Sequence, residues 1–474
     1  MKTFDYYCTW QAQNVLGYTK GISNRDYLNE DIIFGKDGLV TSYPTIRKNL
    51  YFVLDDGWDV PYGKNVKEDY PFASHILRED RFPSFIGTPE EKLKKLVDKI
   101  KSYGWKGVGI WVCAQGYGDD YQKEPKELKK YLTSRLLWSK YAGIDYWKVD
   151  WGKHDSSYEF RKLLSSLKNK IYPHLIVEHA KCLPPVNGFN CNEDKKHKYQ
   201  YPYNNDLKEY IDKILPISDV FRSYDCTEEL ETTTTIERIA YLLKNNPTCI
   251  INCEDQLYLG AVLGMAFGIM RNRKAAVVGN KRKCHFRQNE AIAAMNYRAI
   301  SPVFTGGEIH VSKEYFQDSH QFGKYWCKEV TDNNVIQQAP RRISRNMPLP
   351  RVYQIGDVPY VASCKDSKGN YAIGTFKRLC FEDDHYEVDI AINTDTKLTN
   401  VGIFSNHVRN LIINNKYAKE YKKVMLVNLV DNTKTNITKN VNFMKNKIII
   451  PYLELSKNFN VDDYSDKAYL VIFK

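Results

Sequence analysis

Ile144-Asp-Tyr-Trp-Lys-Val-Asp-Trp151 reads as a short β-strand over residues 144–149 that runs straight into a carboxylate at Asp150. Amphipathic helical stretches flank it at residues 125–141 and 157–168. A short strand between two helical crossovers is the repeating unit of a parallel sheet. The alternation continues in both directions. Further candidate strands cover residues 4–10, 50–54, 107–112, 175–178, 219–222, 248–252 and 302–305, and further helical stretches cover 89–103, 206–214, 232–244 and 289–299. Thr88-Pro89-Glu90-Glu91 opens the first of these helices with an N-cap hydroxyl, a proline in the first turn and acids at the positive end of the dipole. Leu93, Leu96, Val97 and Ile100 then place apolar residues at i, i+3, i+4 and i+7.

Eight strands with helix-length crossovers in the first 335 residues are what a TIM barrel requires. A doubly wound open sheet shares the local pattern, but no G-x-G-x-x-G follows the first strand. After about Pro340 the pattern changes to short strands and turns, such as Lys365-Asp-Ser-Lys-Gly369, with no long helical stripe. The expected fold class is therefore α/β, a TIM (β/α)8 barrel at residues 1–335 followed by an antiparallel β-sandwich domain at 340–474.

A chain of 474 residues, 43% hydrophobic and 13% aromatic, can build both cores, which excludes general disorder. The longest apolar run, residues 257–270, is broken by glycine and ends at Arg271, so no membrane span is expected. The first 13 residues contain no signal-peptide apolar segment, which points to a cytoplasmic protein. Eleven cysteines lack paired metal-ligand spacing and read as buried, reduced thiols. The net charge of +12 would suit nucleic acid, but most lysines are interspersed with acids as on a solvated surface.

Catalytic residues of a barrel lie at or just beyond the C-terminal ends of its strands. Here the second strand ends Leu54-Asp-Asp-Gly-Trp58, the fourth Trp147-Lys-Val-Asp-Trp151, the fifth Val177-Glu-His179, the sixth Phe221-Arg-Ser-Tyr-Asp225, and the seventh runs into Cys253-Glu-Asp255. Acids thus close five of the eight strands, and Lys148, Arg222 and the rings of Trp58, Trp111 and Trp151 accompany them. Carboxylates and cations hydrogen-bond sugar hydroxyls, indole faces pack on pyranose rings, and two of the acids can act as nucleophile and acid/base. One such acid alone is more simply a helix cap or a loop ion pair; five at corresponding places read as a site.

These motifs, with Glu254-Asp-Gln-Leu-Tyr-Leu-Gly260, resemble the strand-end motifs of melibiase-type α-galactosidases, the glycoside hydrolases of families 27 and 36 and their relatives. The stretch at residues 291–309 is similar to their last helix–strand unit, and a β-sandwich after the barrel also fits the group. The resemblance covers roughly residues 1–335. It implies retaining hydrolysis, with Asp150 as nucleophile and Asp225 as acid/base, and carboxyls about 5–5.5 Å apart. It further implies that Asp55 and Asp56 hold hydroxyls at C4 and C6, that Lys148 reaches O3 or O4 and Arg222 the 2-substituent, and that Asp255 is a further acid near the sugar. No metal or organic cofactor is implied.

The chain departs from the group in three places. Arg222 and Asp225 are three positions apart, closer to the raffinose-synthase-like form than to family 27. The loop after the fifth strand cannot be aligned at the residues that distinguish galactose from N-acetylgalactosamine. There Glu178 or His179 contacts the 2-position or anchors the loop, and Asp219 reads as a cap or brace of strand six rather than as the acid. Residues 256–287, after the seventh strand, look like an insertion, and positions 271–287 carry seven Lys and Arg with no Asp or Glu. That stretch is either solvated surface, an oligomer contact, or a contact for an anionic glycan.

The expected function is an exo-acting retaining α-glycosidase on an oligosaccharide or glycan, an α-galactosidase first. An α-N-acetylgalactosaminidase, a β-L-arabinopyranosidase, a raffinose-synthase-like transglycosylase and, from another class, a non-catalytic glycan-binding protein are the alternatives. No nucleic-acid module is recognisable.

Overall fold

The computed structural model describes residues 3–64, 72–118, 125–181, 189–190, 205–222, 232–246, 248–272, 287–320, 335–377, 386–457 and 464–474. The architecture is a (β/α)8 barrel with a β-rich C-terminal part. The chain divides into two compact units, Met1–Cys182 with Lys208–Tyr224 and Phe267–His285, and Leu183–Leu207 with Asp225–Ala266 and Phe286–Lys474.

The barrel strands are β1 (Tyr6–Cys8), β2 (Tyr51–Leu54), β3 (Gly107–Val112), β4 (Tyr146–Val149), β5 (Ile176–Ala180), β6 (Val220–Arg222), β7 (Ile251–Asn252) and β8 (Gly268–Ile269). All but β7 lie in the first unit, in the order β6-β5-β4-β3-β2-β1-β8, and each neighbouring pair in that order is parallel. Side chains alternate in direction along each strand. On one face the Tyr146 ring lies 5.3 Å from Tyr6 and 5.7 Å from Tyr51. Glycine makes room for these rings, since a Cβ on Gly268 would lie 2.7 Å from the Tyr6 hydroxyl. On the other face Trp147 Nε1 donates to Ser139 Oγ on helix Pro125–Ala142, and Trp105 packs 5.0 Å from Phe52. Helix Pro89–Ser102 begins with the expected cap, in which Thr88 accepts from the Glu91 amide and Glu91 returns the bond to the Thr88 amide.

Two expectations are corrected. The eighth strand is Gly268–Ile269, whereas residues 302–305 form no strand and the Phe304 amide donates to the Gly264 carbonyl. The long apolar run 257–270 hid two elements. Helix Leu257–Leu263 ends at Gly264, whose φ of +67° is the left-handed cap that glycine adopts without steric cost, and β8 follows four residues later. A strand buried on both faces shows no alternation, so periodicity could not separate it from the helix.

The second correction concerns the C-terminal sandwich, whose two larger sheets are mixed rather than antiparallel throughout. Strand Arg342–Arg345 runs parallel to Tyr360–Lys365, Tyr371–Phe376 to Asn400–Phe404, and Tyr386–Thr394 to Val408–Asn415. In each case the intervening strand belongs to the other sheet, so the chain crosses over and returns in its original direction. Val388, Ile390, Leu411 and Ile413 from one sheet meet Ile373, Val401, Ile403 and Val471 from the other in the core. No helix among the described residues is long and apolar enough to cross a membrane.

Candidate active site

The ends of β2, β4, β5 and β6, with Arg25 from the loop after β1, bring four carboxylates and three cations of the first unit together. Asp55, one residue past β2, is 3% exposed at its side chain and accepts from Lys148 Nζ at 2.7 Å. The same Asp55 oxygen accepts from Cys8 Sγ at 2.9 Å, and its other oxygen accepts the Asp56 amide at 2.8 Å. Lys148 and Asp55 therefore form a buried ion pair in which both carboxylate oxygens are hydrogen-bonded, which helps such a pair to survive desolvation.

Arg222, at the end of β6, joins two further acids. Its Nη2 lies 2.7 Å from Asp150 Oδ2, and its Nε lies 3.0 Å from Glu178 Oε1. Trp111 Nε1 donates to the same Asp150 oxygen at 3.3 Å. Asp150 Oδ1 carries no hydrogen bond among the described residues. Burial alone would push the Asp150 carboxyl up, but Arg222 and Lys148 outweigh it and hold the group below the usual carboxylate range. Asp150 is thus ionised, clamped through one oxygen and open at the other.

Glu178 is fully buried, and Tyr6 and Tyr146 hydroxyls join Arg222 around it. These bonds tie it to Arg222 and to the strands β1 and β4 rather than to the loop that follows β5. His179 faces the opposite way, against Ser165 and Arg161, and burial keeps its ring neutral. Asp219 braces the sheet, accepting the Val177 amide at 2.9 Å and Lys168 Nζ at 2.6 Å.

Among the three tryptophans, Trp58 is wholly buried and donates to the Trp111 carbonyl at 2.9 Å. Trp111 is buried against Trp151, with ring centroids 5.6 Å apart. Trp151 alone of the three is partly open, and it packs 5.0 Å from Phe72. Trp58 is therefore a brace, and Trp151 the accessible ring.

Asp56 and Asp59 show the cost of burying acids. Arg25 Nε donates to both Asp56 oxygens, at 3.1 and 3.0 Å, yet burial still pushes the carboxyl up to about 6. Asp59 accepts the His75 amide at 3.1 Å while its Oδ1 has no partner among the described residues, and burial pushes it up to about 7. Between pH 4 and 7 the folded chain therefore holds a proton on Asp59 that the unfolded chain has released. Stability should fall as pH rises through that window and level off above it, with an Asp59 contribution on the order of 4 kcal/mol. Asp56 adds to the fall up to about pH 6. Asp59→Asn should flatten the slope in urea unfolding followed by tryptophan fluorescence; an unchanged slope would remove this assignment.

Asp225, the residue expected to act as acid/base, lies outside the described residues, as do 273–286 of the basic stretch and most of the loop after β5. Asp255 is buried just past β7 in the second unit. Reading strand ends missed Arg25, Cys8, Tyr6 and Tyr146. The tyrosines and Cys8 lie on strands at alternating positions, a signal present in Tyr6-Tyr-Cys8, whereas nothing local marks Arg25. Among the described residues no group of three or more His, Cys, Asp or Glu is placed to hold a metal ion, and Cys8, Cys113, Cys249, Cys253 and Cys364 are buried thiols.

No protein-family model matches the chain, and no curated protein matches it. Solved structures do. A β-L-arabinopyranosidase of glycoside hydrolase family 27 from Geobacillus stearothermophilus is 12% identical, with all of this chain and 95% of that one covered and a TM-score of 0.43. A protein described as a candidate α-N-acetylgalactosaminidase from Bacillus halodurans is 12% identical over 100% and 95% of the two chains, at a TM-score of 0.39. One described as a candidate α-galactosidase/melibiase from Bacteroides fragilis is 10% identical over 95% and 76%, at 0.38.

Proposed function

We propose that this chain is a retaining, exo-acting glycoside hydrolase for terminal α-linked galactose or a closely related sugar. The observation that carries the reading is Asp150: a carboxylate at a barrel strand end, kept ionised by Arg222 and Lys148, with no hydrogen bond on Oδ1 among the described residues, and with the Trp111 indole that donates to its Oδ2 packed on Trp151. A nucleophile in this chemistry has to stay charged while the proton donor keeps its proton, so the two must sit in different electrostatic settings. In the first step Asp150 Oδ1 bonds to the anomeric carbon as the bond to the leaving oxygen breaks, and Asp225 gives that oxygen its proton. Water then attacks the glycosyl-enzyme, gives its proton back to Asp225 and releases Asp150. Glu178 is a positioning residue, because it holds the Arg222 that holds Asp150.

Nitrophenyl α-galactoside, α-N-acetylgalactosaminide, β-L-arabinopyranoside and α-glucoside test the reading. Cleavage of one of the first three, with the first-formed product keeping the anomeric configuration, is the expected result. Inversion would remove Asp150 as nucleophile. Binding without cleavage of any would move the chain to the glycan-binding class, and an added sugar acceptor that captures the glycone better than water would mark a transglycosylase.

A further inference from the structure

The loop after the first barrel strand supplies a cation to this site that strand-end motifs do not foreshadow. Arg25 Nε bridges both oxygens of Asp56, and its Nη2 lies 2.8 Å from Oδ2. The Arg25 side chain is 26% exposed, and its Nη1 makes no contact with a described polar group. Its guanidinium lies 5.0 Å from the centre of the Phe72 ring and 5.8 Å from that of Trp151, the accessible indole of the site. The backbone behind it is pinned. Gln13 Nε2 donates to the carbonyls of Asn24 and Asp56, and the buried Arg81, paired with Asp26, donates to the Arg25 carbonyl.

A sugar hydroxyl is bound best where an acceptor takes its proton, and the carboxylates on this side have little acceptor capacity left. Asp55 is taken by Lys148, Cys8 and an amide, and Asp56 by Arg25. What remains is the outer edge of a guanidinium, which offers donors only, carries a fixed charge and is backed by aromatic faces. An acceptor-only oxyanion complements that edge, and a charged pair with this geometry is among the stronger polar contacts.

We infer that Arg25 makes the site select a sugar bearing an acidic group, a carboxylate or a sulfate ester, on the edge that faces Asp56. The inference rests on the reading of this mouth as a sugar site. Asp55 and Asp150 are each paired with a cation, so an added oxyanion at Arg25 meets those two acids already countered.

Binding to the full chain, read by tryptophan fluorescence and calorimetry at pH 7.5, tests it with galactose, galacturonate and galactose 6-sulfate. At least one acid should bind roughly tenfold or more tighter than galactose, and added salt should narrow the gap. Arg25→Gln should bring the acid-to-neutral ratio down roughly tenfold, and Arg25→Lys, which keeps the charge and loses the fork, should fall between. Thermal melts of both variants identify a folding defect, and the lysine variant keeps the comparison usable if the glutamine variant is unstable. The better of the two acids tells carboxylate from sulfate. Equal binding of all three sugars, no binding of either acid at millimolar concentration, or a ratio untouched by Arg25→Gln overturns the inference. Because the readout is binding, acid preference without turnover of any glycoside would keep Arg25 as the selector and reject hydrolysis instead.

Discussion

Asp150→Asn should lower kcat/KM on the best nitrophenyl glycoside by on the order of 10^4-fold, the scale of losing a nucleophile from an otherwise intact site. The amide is nearly the same size, and its oxygen can still accept from Arg222 Nη2 and Trp111 Nε1, the two donors that now hold Oδ2. Geometry should therefore survive while the charge and the nucleophilic lone pair do not. Arg222 keeps Glu178 as counter-ion, so the fold should remain intact. An added small nucleophile such as azide should restore turnover in part, yielding a glycosyl azide of inverted configuration, because it can enter where Oδ1 no longer reacts. Turnover within tenfold of the parent would exclude Asp150 as nucleophile.

Glu178→Ala should be the most damaging change to stability, by about 3–5 kcal/mol, the usual loss when one partner of a buried ion pair is removed. Glu178 is completely buried, and the Arg222 side chain is 2% exposed. Its two oxygens accept from the Tyr146 hydroxyl at 2.7 Å, the Tyr6 hydroxyl at 3.2 Å and Arg222 Nε at 3.0 Å. Alanine leaves two phenols and a guanidinium edge without this acceptor inside the barrel, and opens a void in place of the carboxylate. Activity should drop as well, because Arg222 would no longer be held against Asp150. Glu178→Gln, which retains one acceptor oxygen and the volume, should lose less than the alanine variant. Urea unfolding of the two variants checks this order, and a loss below about 1 kcal/mol for alanine would show that the cluster is hydrated rather than closed.

Much of the barrel could be read locally. Gly107–Val112 is the strand its sequence announces, and helices Pro89–Ser102 and Thr232–Asn245 begin and end within a residue or so of their patterns. Caps, apolar stripes and carboxylates at strand ends are local signals, and Asp55, Asp56, Asp150 and Arg222 converge because parallel strands deliver their C-terminal ends to one side. β8 was unreadable for the opposite reason. Between Leu257 and Met270 every neighbour is apolar or glycine, so burial on both faces erased the periodicity that distinguishes strand from helix. The mixed sheets of the sandwich were hidden too, since strand direction depends on which sheet the intervening strand joins.

The residue pattern was sufficient for which acids and cations gather at the strand ends, and it named Lys148 and Glu178 as candidates to touch a substrate. Their partners depend on distances between strands far apart in the chain. Lys148 meets Asp55 across 93 positions, and Arg222 meets Asp150 across 72. Folding thus turned Glu178 from a candidate contact into the buried anchor of Arg222, Trp58 from a platform into a brace, and Arg25 into the partner of Asp56. The physical reason is desolvation: a buried charge must find its counter-charge within hydrogen-bond reach, and only the packed barrel fixes which charge that is.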